Sequence, residues 1–268
     1  MKLTANILLI ALVLTVWSSL RLGWSWTNLA SGTLTVAVLA MARRSMPSTS
    51  PLRATGILLL LYAGIFVWGT FIEAAAFRMI PGSEALTGSI VGTAVAAVIA
   101  GLVAFAFGPD AAETRSDKLL RKAGWWWRVA LLPVVFIAFY FAAGAAVYPW
   151  IREFYAGRVL PTVPELIRLQ YSRGLLYVGL SLPFLCRFAG SRAQAAGALA
   201  LIYATLGGWA PLLLTDRFPP SVRLAHAVEI GVVNCLFGIT VAIILLSGGR
   251  EKPLGESRSV ARTIRDSV

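Results

Sequence analysis

The 268-residue chain is 58% hydrophobic and only 13% charged, about half the charged share of a soluble domain, which is roughly 25%. With a mean hydropathy of +0.76, this composition excludes an ordinary soluble enzyme. The net charge of +12 reads as a topology signal and not as a nucleic-acid footprint. The basic residues fall in loops beside apolar runs, and no basic soluble domain is left to hold a duplex.

Crossing a hydrocarbon core of about 30 Å takes about 20 residues at 1.5 Å rise. Eight apolar runs meet or approach that length: 5–22, 26–42, 55–77, 86–108, 126–149, 172–189, 194–214 and 225–247. Lys2 precedes the first run, but no small-x-small site follows before Arg21 and the Trp24–Trp26 pair, so the run is expected to be a retained signal anchor. The second is short and carries Thr27, Asn28, Ser31, Thr33 and Thr35. Gly88 and Gly92 form a GxxxG step in the fourth, suited to close helix packing or to a homo-oligomer seam.

The mixed-charge stretch 109–124 links two candidate halves, 1–108 and 125–249, and could hold a short surface helix. It ends at Trp125–Trp127, three indoles suited to a membrane–water boundary. Pro133 and Pro183 interrupt the fifth and sixth runs, and Gly207, Gly208 and Pro211 interrupt the seventh. The connection from Pro149 to about Tyr171 is amphipathic and is expected to lie on the outer leaflet or cap the bundle, with Glu165 and Arg168 paired. From Arg250 the chain is a basic tail, 250–268, with Arg258, Arg262 and Arg265 on one face if helical.

About two-thirds of Lys and Arg fall on the side that holds both termini, which predicts cytoplasmic ends and a plasma (inner) membrane protein. The opposite side holds Arg21, Arg78, Arg152, Arg158, Arg168, Arg173, Arg217 and Arg223. The third and seventh runs share a pattern 141 positions apart. Gly56, Tyr62, Trp68 and Phe77 correspond to Gly197, Tyr203, Trp209 and Phe218. The expected fold is therefore an all-α polytopic bundle of about eight spans, with the pattern pointing to two parallel four-helix repeats.

Ionisable side chains inside a bilayer cost about 2.5–3.5 kcal/mol on insertion scales. Those that lie within or at the ends of the runs are therefore the site candidates: Glu73, Glu84, Asp216, Arg223, His226, Glu229 and Asn234. All belong to the outer layer of spans three, four, seven and eight, which predicts an outward-facing polar chamber between them. Glu229, three residues from His226, suits proton exchange near neutral pH. Glu73 and Glu229 would be coupling or ligand-binding acids, and Arg223 and His226 would orient a small polar, anionic or zwitterionic ligand.

One histidine and two cysteines give neither zinc-ligand spacing nor bis-histidine haem ligation, so no metal or cofactor is expected. No HExxH, GxSxG or phosphate-cradling glycine loop selects an enzyme. The leading reading is a small permease or binding protein in contact with membrane lipids and not nucleic acid. The alternatives are a membrane-embedded enzyme acting on a lipid or lipid-linked substrate at the outer leaflet, and a non-catalytic assembly or scaffold subunit.

Overall fold

The computed structural model describes residues 2–108 and 125–247. The expectations for the linker 109–124 and the tail 250–268 lie outside these residues. Among the described residues there are eight helices and no strand: α1 (Lys2–Leu22), α2 (Trp26–Arg44), α3 (Pro51–Ala76), α4 (Gly82–Ala106), α5 (Trp125–Tyr155), α6 (Val163–Arg187), α7 (Arg192–Leu214) and α8 (Pro220–Leu246). Six of them, all but α2 and α6, are long and apolar enough to cross a membrane. The chain is an all-helical, multi-pass membrane protein.

α2 and α6 fall short for one physical reason: their polar residues face inward. Asn28, Ser31 and Thr35 are buried on α2, and Gln170, Arg173 and Ser181 on α6. Hydropathy registers them as polar helices, although burial inside a bundle is where a membrane protein keeps such groups.

Several local expectations are revised. Pro133 and Pro149 lie within a continuous α5, and Pro183 within a continuous α6. The amphipathic connection expected between Pro149 and Tyr171 shrinks to residues 156–162, because α5 runs on to Tyr155 and α6 begins at Val163. Pro164 occupies the first turn of α6, and Glu165 accepts from the Thr162 backbone N–H at 2.7 Å, closing a capping box instead of pairing with Arg168. Arg173, grouped above with the outer-loop cations, is 4% exposed inside α6, about 15 Å of helix from Val163. The run 172–189 already contains Arg173, and what the structure adds is that this charge turns inward to the Glu73 carboxylate and does not end the helix.

α7 is not broken at Gly207–Pro211. It carries a π-helical turn at Thr205–Trp209, and α3 carries one at Tyr62–Trp68. Both turns fall on the segments that share the glycine–aromatic pattern, and they pack against each other at the centre of the bundle.

The helix contacts come in pairs. α1 packs on α2 as α5 does on α6, α3 on α4 as α7 on α8, α1 on α4 as α5 on α8, and α2 on α7 as α6 on α3. A shift of 142 positions carries every buried residue of α6 onto a buried residue of α2, including Arg173 onto Ser31, Gly174 onto Gly32, Tyr177 onto Thr35 and Val178 onto Val36. Gly32 lets α2 approach Ala11 and Thr15 of α1, and Gly174 lets α6 approach Pro133 and Phe136 of α5.

At the end of the bundle formed by the α2–α3 and α6–α7 turns, arginines satisfy the free carbonyls of two helix ends. Arg43 donates through Nε to Ala104 O of α4 at 3.1 Å, and Arg128 donates to Ile244 O and Ser247 O after α8 at 3.1 and 2.9 Å.

Candidate functional site

Two charged clusters face one small cavity between α3, α5, α6 and α8. The first is built on Arg173. Its Nη1 donates to Glu73 Oε1 at 2.7 Å and to Gln170 Oε1 at 3.1 Å, and its Nη2 reaches Tyr177 OH at 3.4 Å. The Glu73 side chain is 26% exposed and Arg173 nearly enclosed, so the pair bridges α3 to α6 at the rim of the buried core. Below it, Tyr203 OH of α7 donates to Tyr177 O at 2.9 Å and shares a 2.8 Å contact with Ser181 Oγ. Gln170, Arg173, Tyr177 and Ser181 follow three- and four-residue steps, so they form one inward stripe on α6.

The second cluster joins α5 to α8. His226 Nδ1 lies 2.8 Å from Glu229 Oε2, and its Nε2 lies 2.9 Å from Tyr155 OH. Both His226 and Glu229 are buried. In the tautomer that donates from Nδ1, the ring gives its hydrogen bond to the Glu229 carboxylate. Nε2 then accepts from the tyrosine hydroxyl when the ring is neutral, and donates to it when the ring is charged. The three-residue step between His226 and Glu229 puts both on one face of α8, and Gly144 on α5 leaves room for the Glu229 carboxylate.

Glu73, Phe136, Tyr140, Arg173, Glu229 and Asn234 line the cavity, whose volume is about 10 Å³, room for about one water molecule. Both acids thus border the same water-sized space, and the His226–Tyr155 contact leads from it toward the end of α5.

Of the residues singled out from the sequence, Glu73, His226, Glu229 and Asn234 come together here. The others do not. Glu84 pairs with Arg217 at 3.5 Å on the exposed turns, where Arg217 also donates to Met79 O at 2.8 Å. Asp216 is exposed. Arg223 donates to Phe218 O at 3.2 Å, so the cation of the site is Arg173 and not Arg223. Neither α4 nor α7 lines the cavity; the places expected for them are taken by α5 and α6.

Gly88 and Gly92 face Phe71 and Val67 of α3 in the same chain. Arg173, Gln170, Tyr140, Tyr155 and Tyr177 were not singled out. The four-residue polar stripe on α6 was the available signal for three of them. No known protein family matches the chain, and no curated protein or solved structure is significantly similar to it.

Proposed function

We propose that this protein is a small proton-linked permease or binding protein of the plasma (inner) membrane. All eight helices cross, both termini are cytoplasmic, and the two four-helix halves are copies of one unit. The paired helix contacts, the common burial register of α2 and α6, and the two π turns support the duplication. The predominance of basic residues at the end where Arg43 and Arg128 cap helices supports the orientation.

One observation carries the functional part: Glu73 and Glu229 border a single water-sized cavity, with Glu229 hydrogen-bonded to His226 and Glu73 held by Arg173. Intramembrane acids with base partners mark proton and ion paths. In this reading a proton enters at Tyr155 and His226 and is held by Glu229. A small anionic or zwitterionic solute competes with Glu73 for Arg173. Loosening that bridge frees α3 from α6, and the π turns where α3 meets α7 give the bundle a place to rearrange.

The test is solid-supported-membrane electrophysiology on proteoliposomes, with a panel of small carboxylates and zwitterions applied under an inward proton gradient. Wild type is expected to give solute-evoked currents that Glu229→Gln abolishes. Currents that persist in Glu229→Gln would remove the proton role.

The Tyr155–His226–Glu229 chain favours one other reading, an acid–base site acting on a lipid or lipid-linked substrate near the membrane surface. That reading predicts product formation in detergent, where no gradient exists, and its loss in His226→Asn.

A further inference from the structure

Away from the polar cavity, the opposite ends of α3 and α6 border a second space of about 720 Å³. Its wall is apolar: Ile57, Leu59 and Leu60 from α3, and Pro183 from α6. Its mouth is not. Arg53 stands in the first turn of α3 and Arg187 is the last residue of α6, and both border the same groove. Neither guanidinium has a hydrogen-bond or carboxylate partner among the described residues. Gly56 gives the groove its depth, because a Cβ built there would have nothing within 4 Å.

The two features call for one amphipathic occupant. Unpartnered guanidinium groups present forked donors suited to phosphate oxygens. Between Arg53 and Leu60 the wall extends about 10 Å along the helix, enough to seat the first part of an acyl chain. A soluble anion would leave the apolar wall uncovered, and a neighbouring apolar helix would leave both arginines unpaired. We infer that this groove is a binding site for an anionic phospholipid, its phosphate between Arg53 and Arg187 and one acyl chain along Ile57 and Leu60. Basic pockets between membrane helices on the cytoplasmic side hold anionic headgroups by the same physics. The site shares α3 and α6 with the Glu73–Arg173 bridge but does not depend on the transport reading.

Native mass spectrometry of the delipidated full-length chain tests it, with phosphatidylglycerol and phosphatidylcholine of identical acyl chains as probes. Wild type is expected to retain phosphatidylglycerol in preference to phosphatidylcholine. The R53Q/R187Q variant should lose about 30-fold in phosphatidylglycerol affinity, at roughly fivefold per arginine, and the preference with it. Gly56→Leu adds bulk to the groove from a position where a Cβ meets nothing within 4 Å, and leucine suits a helix better than glycine. It should weaken phosphatidylglycerol binding with both arginines intact, which keeps the test decisive if the double variant folds poorly. Equal retention of the two lipids by wild type, unchanged phosphatidylglycerol binding in Gly56→Leu, or its displacement by millimolar inorganic phosphate would overturn the assignment.

Discussion

The helix sets α1–α4 and α5–α8 share a pattern of contacts but not a chemistry. Where α6 buries Gln170, Arg173 and Tyr177, α2 buries Asn28, Ser31 and Thr35 at the corresponding positions. Ser31 Oγ donates to Ala210 O of α7 at 2.9 Å, and Arg173 donates to the Glu73 carboxylate of α3 at 2.7 Å. On α4, Ala85 and Gly88 stand 141 positions before His226 and Glu229, and the Phe71 ring fills the space over Gly88. At these matched positions the first half places small residues and an aromatic ring, and the second places Arg173, His226 and Glu229. Ser31 makes its interhelix contact with a hydroxyl alone, so Arg173, His226 and Glu229 are more than helix packing requires at these positions.

That contrast yields graded expectations. Arg173→Ala leaves Glu73 without its cation. Breaking buried pairs costs about 3–5 kcal/mol, and the partial exposure of Glu73 lowers this to about 2–3 kcal/mol. Ser31→Ala at the matching position should cost about 0.5–1 kcal/mol. Steric-trapping unfolding in bicelles measures both, and equal losses would break the comparison.

Gly174→Ala comes next. Its Cβ would lie 2.9 Å from Pro133 Cα, and overpacking of that kind costs about 1–3 kcal/mol. Gly32→Ala meets Ala11 O and Thr15 Oγ1 at 3.1 Å and should cost less than Gly174→Ala in the same assay. The smallest contrast is between the matched tyrosines. Tyr203→Phe removes a buried hydroxyl that bonds Tyr177 O and Ser181 Oγ and should cost about 1 kcal/mol. Tyr62→Phe should be nearly neutral, since the Tyr62 hydroxyl has no hydrogen-bond partner among the described residues. Thermal midpoints in detergent would rank the pair.

The sequence made some of this readable. Long apolar runs mark the spanning helices because nothing else supplies about 30 Å of uninterrupted hydrocarbon. The Gly56–Trp68 and Gly197–Trp209 patterns locate the two segments that form π turns and meet. Glu73, His226, Glu229 and Asn234 stood out because acids and amides inside apolar runs need partners.

Arg173 did not stand out, since its neutralising acid lies 100 residues away. An arginine near the start of an apolar run looks the same whether it snorkels or turns inward. Tyr140, Tyr155 and Tyr177 were hidden for a related reason: a tyrosine is at home both at an interface and in a core, and only the helix on which it faces a carboxylate or a ring nitrogen separates the two. Glu84 and Asp216 share the same layer as the site, yet the turns that carry them point them to the outside.

The most direct measurement of the central claim is proton uptake by proteoliposomes carrying a trapped pH-sensitive dye, driven by the solute that gives the largest current. The account predicts that Glu229→Gln abolishes uptake, while a combined Asn28→Ala, Ser31→Ala, Thr35→Ala variant in the first half leaves its rate within about twofold. Full uptake in Glu229→Gln, or its loss only in the first-half variant, would contradict it.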